Sequence, residues 1–287
     1  MHSGEHRSVT IGIPTFSRAG ILQNALDSAS RQSYPSLEIV VSDNASPGME
    51  TRRVVERAQL ADPRVVYRVH PTNIGSYANF LSLVDAVDTD LFMWLADDDE
   101  LVGTEYIASL VQCFESDPAA QLVFPDVDVF FDEKRSSWAR SLMSAHFADC
   151  RTDADYLEAW CKFGAGHPVY GLYDLAHLRA LDPARNFMPT LAYYAEGVFL
   201  HRAFASGGVR FCPDATMVFN GLNSGTEITS RKMLASFLRY SASVHAFHLA
   251  RRVDVRTKAR LLGMIGKSHY TYAWKLAGKA KRNELGG

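Results

Sequence analysis

Four consecutive acids, Asp97, Asp98, Asp99 and Glu100, follow the apolar run Leu91-Phe92-Met93-Trp94-Leu95 with a single Ala96 between. Such a run describes a buried strand that surfaces at the rim of a sheet, where open α/β sheets bind their ligands. On an extended segment two carboxylates one residue apart point the same way, so Asp97 and Asp99 can share one hard cation. Mg²⁺ or Mn²⁺ held by one or two carboxylates keeps positions for water and phosphate oxygens. It can then stabilise the charge that grows on a departing diphosphate. The competing explanation is a solvated acidic turn ahead of a helix expected near 104–116, since acids favour a helix's first turn.

Behind that rim the chain alternates strand and helix. Val9-Thr10-Ile11-Gly12-Ile13 reads as a first buried strand, broken at its carboxyl end by Pro14-Thr15-Phe16-Ser17-Arg18. Residues 38–42 form a second strand, closed by the turn formers of 43–48; 65–69 form a third and 91–95 a fourth. Helices fall between them, at Leu22, Ala25, Leu26 and Ala29, around 49–60, and at Tyr77, Phe80, Leu81 and Val84. The pattern predicts an α/β fold with a mostly parallel sheet and right-handed crossovers. Further on, 122–131 reads as a bent or edge strand because Pro125 interrupts it. Residues 132–170 read as helical pieces over the sheet, 191–204 as a helix, and 209–212 and 217–219 as two strands. From about 230 the chain turns helical, with Leu234, Phe237, Leu238 and Val244 on one face.

Parallel strands put their carboxyl ends on one edge, so the loops 14–18, 42–46 and 96–100 converge there. Asp43 can accept a base N–H or a ribose hydroxyl, and Thr15 or Ser17 can bond a base edge. Each alone suits ordinary turn or cap chemistry, and their convergence favours a ligand. No Gly-x-x-x-x-Gly-Lys-[Ser/Thr] loop occurs, and Gly-x-Gly-x-x-Gly is absent after the first strand, so P-loop hydrolysis and dinucleotide redox chemistry lack support.

A chain of 287 residues, 47% apolar and 22% charged, suits a large globular core. It has no apolar run near 18 residues and no basic-then-apolar leader, so neither a membrane span nor a signal peptide is expected, and the expected location is cytoplasmic. Cys113, Cys150, Cys161 and Cys212 are scattered, without a Cys-x-x-Cys pair. Residues 250–287 hold ten Lys or Arg against Asp254 and Glu284, a net of +8 on a chain of net −2. An acidic body with a basic tail argues against a general nucleic-acid binder and for a tail with its own role.

The order Pro14-Thr15-Phe16-Ser17-Arg18, Ile39-Val40-Val41-Ser42-Asp43-Asn44-Ala45-Ser46, Asn73-Ile74-Gly75 and Leu95-Ala96-Asp97-Asp98-Asp99-Glu100-Leu101 resembles the GT-A glycosyltransferases of family 2. The likeness covers about 7–130 and continues more faintly to about 220. It implies a GT-A domain over 1–229, Rossmann-like with a mostly parallel central sheet flanked by helices. Within it, 7–101 would bind the nucleotide-sugar and 102–229 the acceptor, and a helical basic extension would occupy 230–287. Pro14, Thr15, Phe16, Asp43 and Asn44 would hold base and ribose, with Arg18 near the phosphates. Asn73 and Gly75 would shape the pocket, and Asp97 to Asp99 match the family's DxD metal motif, with Asp98 or Asp99 the main ligand. The cofactor implied is Mn²⁺ or Mg²⁺.

The family inverts the anomeric carbon in one displacement and takes its base from an acid at a helix start, about ten residues before a Gly that precedes a strand. Glu196 occupies that position, ahead of Gly207-Gly208 and Val209. A carboxylate there can accept the acceptor hydroxyl's proton; the alternative is a helix-start acid favoured by the dipole. Phe16 and Ser17 stand where many relatives have Tyr and Asn, and Glu196 lacks the adjacent Asp common among them. The Gln-x-x-Arg-Trp motif of processive synthases is missing, which implies single addition, and the loop 220–225 lacks the late His that some relatives use on the metal. His245 and His248, three apart, suit packing or an exposed face, and His167 in a Gly-rich loop is a weaker acceptor-side candidate. The expected partners are a nucleoside-diphosphate sugar and a hydroxyl-bearing glycan, lipid-linked or small-molecule acceptor. Among its cations the tail carries Leu261, Leu262, Ile265, Tyr272 and Leu276, which suits peripheral contact with an inner membrane face, a second copy, or plain solvent. Two rival functions are a sugar nucleotidyltransferase, for which Gly12-Ile13-Pro14-Thr15 is a poor basic loop, and a degenerate sugar-binding protein, against which the intact acidic triplet argues.

Overall fold

Runs such as Val9–Thr15 (β1), Leu37–Asp43 (β2) and Leu91–Trp94 (β4) are almost wholly buried, as strands covered on both faces must be. The computed structural model describes residues 6–131, 134–164, 166–187, 194–221 and 230–285. They form two compact units, one of 1–148, 167–180 and 208–223, the other of 149–166, 181–207 and 224–287. The units interleave along the chain.

Nine strands among the described residues of the first unit form one sheet in the order β3-β2-β1-β4-β8-β6-β9-β5, with β7 on β6. These are Val65–Val69 (β3), Glu100–Leu101 (β5), Leu122–Phe130 (β6), Trp138–Ala139 (β7), Leu172–Asp174 (β8) and Val209–Asn220 (β9), beside β1, β2 and β4. The half β3-β2-β1-β4 is parallel, as the alternation with α1 (Ala19–Ser30), α2 (Glu50–Ala61) and α3 (Ser76–Asp85) predicts. Beyond β4 the sheet is mixed: β8 runs antiparallel to both neighbours, β6 and β9 are parallel, and β5 is antiparallel to β9.

Several expectations change here. Strand β6 is bent but not an edge, since β8 and β9 flank it; Pro125, which has no N–H to give, sits where the β6–β9 register shifts. The two strands expected at 209–219 are one bulged strand, and β5, β7 and β8 were too short to carry a periodic signal. On α3 the buried positions are Asn79, Leu83 and Val84; of the expected face through Tyr77, Phe80, Leu81 and Val84, Val84 is buried and the other three are half-buried. Phe80 stacks on Trp94, ring centroids 4.4 Å apart. The first unit also holds α4 (Tyr106–Ser116), α5 (Ser144–Phe147) and α7 (Leu175–Ala180).

The second unit is helical in its described residues: α6 (Asp153–Phe163), α8 (Pro183–Asn186), α9 (Gly197–Ser206), α10 (Ser230–Ala250) and α11 (Val255–Leu285). Thr152 and Asp155 close a reciprocal capping box at the start of α6. The helix expected from 191 begins at Gly197 in the described chain; 191–193 lie outside the described residues. On α10, Phe237, Tyr240 and Val244 are buried, whereas Leu238 is 54% exposed and belongs to the outer face. Leu261 and Ile265 of the basic tail are also buried, so their apolar surface is used in packing within this unit. The side chains of Tyr272 and Leu276 lie outside the described residues.

His248, with Nε2 3.1 Å from His201 Nδ1, is a packing residue, as its spacing suggested. Cys161 joins them, the three ligand atoms lying within 4.8 Å of one another. Burial holds both imidazoles toward their neutral forms, and we read the trio as a hydrogen-bonded polar core. No helix among the described residues is long and apolar enough to cross a membrane.

Trp94 ends the strand that delivers the acids. It is fully buried, packs on Phe80, and donates its Nε1–H to the Phe80 carbonyl at 2.8 Å. Trp94→Ala is expected to cost about 3–5 kcal/mol of unfolding free energy, measured by denaturant titration, and Trp94→Phe markedly less.

Candidate active site

The acids do not continue the strand. After Leu95 the backbone turns, with Asp99 N–H donating to the Ala96 carbonyl at 3.1 Å, and re-enters the sheet as β5, where Glu100 and Leu101 pair with Val218 and Met217 of β9. The alternation argument for Asp97 and Asp99 therefore lapses, and a tight turn brings the acids together instead. Asp97 is 4% and Asp99 1% exposed, which rules out the solvated acidic turn.

Each acid has its own support. Asp97 accepts the Thr15 hydroxyl at 2.7 Å and pairs with Arg18 at 2.8 Å. Arg18 spans to Asp98 with its other nitrogen at 2.7 Å. Asp99 Oδ1 accepts the Asn220 N–H at the end of β9, 2.9 Å away, and its buried Oδ2 has no partner among the described residues. Burial pushes the Asp97 carboxyl up to about 6 against the pull of Arg18 and Thr15. Burial, then the charges of Asp98 and Asp97, raises Asp99 well above the ordinary carboxylate value. Burial works against the Arg18 charge, yet Asp97 and then Asp98 outweigh it and raise the guanidinium's pKa. The oxygen donors, their excess negative charge and the orphaned Asp99 Oδ2 fit a hard divalent cation.

The second loop lies beside the first because Thr15 pairs with Asp43 in the parallel β1–β2 register. Asp43 accepts the Ser46 N–H at 2.9 Å and the Tyr67 hydroxyl at 2.6 Å. Burial, then this hydrogen bond to Asp43, raises the Tyr67 pKa. Asn44 donates to Asn73 Oδ1 at 3.1 Å and accepts the Ile74 N–H at 2.8 Å, while Asn73 Oδ1 also takes the Gly75 N–H. Gly75, at φ +90°, allows the chain to leave this loop and enter α3. Phe16 is 41% exposed and free to meet a ligand face; Pro14 lies in the β1–β2 ladder opposite Ser42. Thus Pro14, Thr15, Arg18, Asp43, Asn44, Asn73, Gly75 and the acids gather at one end of the parallel strands.

Three supporting residues escaped the sequence. Asn79, 2% exposed, accepts the Ser42 hydroxyl and donates to the Ser42 and Thr15 carbonyls, tying the two strand ends together. Its signal was available, since it precedes the fully buried Leu83 by four residues on one helix face. Tyr67 and Asn220 carried none, because one sits in an ordinary strand and the other acts through its backbone. His167 has an unpartnered Nδ1 and packs edge-on against Phe219, centroids 4.8 Å apart. The loop expected at 220–225 is described only through Gly221.

In the second unit Glu196 is the N-cap of α9, but its side chain makes no capping bond, so helix capping does not account for it. A methyl group on Gly166 would come within 2.2 Å of Glu196 Oε1, so the glycine lets backbone close on the carboxylate. Burial pushes this carboxyl from its ordinary 4.5 up to about 7. The folded chain therefore keeps a proton on Glu196 that the unfolded chain releases between about pH 4.5 and 7, so this group lowers stability as pH rises through that window. Glu196→Gln stays neutral, and its stability relative to the parent is expected to improve from pH 5 to pH 8 in urea titrations. A pH-independent difference would reject the raised value.

The family model for Glycosyl transferase family 2 matches residues 10–178. A GalNAc(5)-diNAcBac-PP-undecaprenol beta-1,3-glucosyltransferase of Campylobacter jejuni is 33% identical over 96 residues, 33% of this chain and 31% of that protein. An abequosyltransferase of Salmonella typhimurium is 32% identical over 111 residues, 38% and 33% of the two chains. The matches thus span about a third of either relative's length. S. aureus TarS 1-349 in complex with UDP-GlcNAc superposes with TM-score 0.70 at 13% identity, over 92% of this chain and 73% of that one. A mannosyltransferase from Pyrobaculum calidifontis, in complex with GDP-Man and Mn²⁺, gives 0.63 at 15% identity, over 99% and 76%.

Proposed function

The chain belongs to glycosyl transferase family 2 and has the GT-A fold, and from this we propose that it moves one sugar from a nucleoside-diphosphate donor to a hydroxyl acceptor, with inversion and with a divalent cation. The observation that carries the proposal is the buried, partly unpartnered carboxylate cluster at the strand end, against the loops of Thr15 and Asp43. Neighbours of the same fold bound to UDP-GlcNAc, and to GDP-Man with Mn²⁺, support it.

Asp97 and Asp99 would hold Mg²⁺ or Mn²⁺, with Asp99 Oδ2 as the open donor atom. A cation there supplies charge neutralisation on the departing diphosphate. Thr15, Asp43 and Asn44 hold the nucleoside, with Pro14 and Phe16 as its walls and Asn73 and Gly75 fixing the neighbouring loop. Arg18, which pairs with Asp97 and Asp98 in the free chain, lends its charge to the donor's phosphates. Glu196 takes the proton of the acceptor hydroxyl at a carboxylate oxygen. The acceptor oxygen, freed of that proton, bonds to the anomeric carbon as the bond from that carbon to the diphosphate breaks, and the configuration inverts. A base whose pKa lies near 7 is matched to the working pH.

For the acceptor we favour a hydroxyl on a lipid-linked glycan, the class named for the Campylobacter relative. A cytoplasmic chain whose basic 250–287 segment approaches the anionic inner membrane face would meet such an acceptor.

Two variants separate the halves of the mechanism. Asp99→Asn is expected to lose both metal-dependent donor hydrolysis and transfer. Glu196→Gln is expected to keep donor binding while transfer falls by about 10²-fold or more. Nucleoside diphosphate release and the product anomer by NMR are the measurements; near-normal turnover in either variant rejects its assignment. A thermal-shift panel of UDP-, dTDP-, GDP- and CDP-sugars with and without Mn²⁺ is expected to single out one donor, through stabilisation that needs the metal.

A further inference from the structure

Within the helical unit, three arginines from separate parts of the chain line one pocket of about 550 Å³. Arg185 comes from α8, Arg202 from α9, and Arg251 follows the end of α10. No acid is among the lining residues, and none of the three guanidiniums has an ion pair among the described residues. The two acids nearest in sequence, Asp182 and Asp254, are turned to the backbone, where they accept the Arg185 and Thr257 N–H groups.

Arg251 is the most constrained of the three. Its Nη2 donates to the Ala205 carbonyl at 3.2 Å, and its Nη1 is buried without an acceptor. Burial already lowers its pKa, with Cys161 opposing that shift. Arg202 lies over the Phe247 ring, 5.0 Å from the centroid, which fixes the plane of its fork. Val198 and Phe247 give the pocket an apolar wall. Three cations lining one space, with no acid among its described lining residues, make a receptor for an oxyanion of more than one negative charge.

We propose that this pocket receives a phosphate or diphosphate group carried by the acceptor, the apolar wall meeting the body to which that group is attached. The inference rests on the transferase proposal above and deepens it. A single carboxylate would leave two guanidiniums uncompensated, whereas a diphosphate offers oxygens to all three. The donor's own diphosphate is accounted for at Asp97 to Asp99. The helix that carries Glu196 at its N-cap also carries Val198 and Arg202, so base and pocket wall share one rigid element. A pocket that holds the phosphate end of an acceptor can thereby set which hydroxyl is offered to the base.

The test uses the full chain with inorganic pyrophosphate as probe, in EDTA so that metal-bridged binding is removed. Calorimetric titration is expected to show binding that weakens about ten-fold or more in Arg202→Ala and further in Arg185→Ala/Arg202→Ala, with partial recovery in Arg202→Lys. Sugar-nucleotide binding with Mn²⁺, measured on the same samples, is expected to be unchanged and shows that the variants are folded. Sedimentation with phosphatidylcholine vesicles, with and without phosphatidic acid, identifies the source. Arginine-dependent capture by phosphatidic acid indicates a lipid-borne phosphate, and pyrophosphate binding alone indicates a soluble phosphorylated acceptor. Equal pyrophosphate affinity in parent and variants, or no binding of either probe, overturns the site. A parent without metal-dependent donor hydrolysis would overturn the transferase proposal instead, and leaves an arginine-dependent pyrophosphate signal readable by itself.

Discussion

Three carboxylates pressed into a turn at the end of a buried strand repel one another, and the low dielectric around them magnifies the cost. Much of the first unit's local structure answers that cost. Arg18 spans Asp97 and Asp98, Thr15 donates to Asp97, and the Asn220 N–H reaches Asp99 from the far strand β9. Asp99 Oδ2 is left unanswered, an orphan that a folded chain rarely tolerates without a ligand. The turn itself is held because the chain passes directly from β4 into the β5–β9 pairing. The acids are thus clamped from both sides before any substrate arrives, which is how a site avoids reorganising at the moment of reaction.

The same economy appears in the neighbouring loops. A parallel register sets Thr15 beside Asp43, and Asn79 bonds the backbone of both strand ends. Asp43, Asn44 and Asn73 each spend side-chain oxygens on loop N–H groups, so their positions are fixed by the loops they cap. Ser17 and Ala45 adopt positive φ there, a strained conformation for residues other than glycine and a common mark of ligand-binding loops.

The helical unit meets a different constraint, since polar groups inside it must find partners among helices. His248 Nε2 and His201 Nδ1 bond one another, and His201 Nε2 faces the Tyr240 hydroxyl at 3.3 Å, while His248 Nδ1 is buried without a partner among the described residues. Glu196 and Arg251 do not complete that accounting. One is a carboxyl held toward its neutral form and the other a guanidinium with an unused donor.

The parallel half of the fold, the strand-end loops and the acidic motif were legible in the sequence, because buried parallel strands write continuous apolar runs and turn formers mark their ends. Strand 65–69 matched in its bounds, and the four expected positions of the α1 face are all buried, with Ser28 beside them. What the sequence misplaced were features set by non-local pairing. Pro125 argued for an edge, yet a register shift lets an internal strand carry it; two-residue strands such as β5 exist only through their partner. Leu238 looked like core by spacing and is exposed, because Phe237, Tyr240 and Val244 define the face that α10 buries. The sequence by itself determined which chemical groups are present and that Asp97, Asp98 and Asp99 are adjacent. Only the tertiary structure decided that a turn rather than an extended strand gathers them, and that Asn220, 121 residues away, holds the deepest of the three. Adjacency is written in the covalent chain, whereas burial, and with it the energy of every charge in the site, is a property of what the chain folds against.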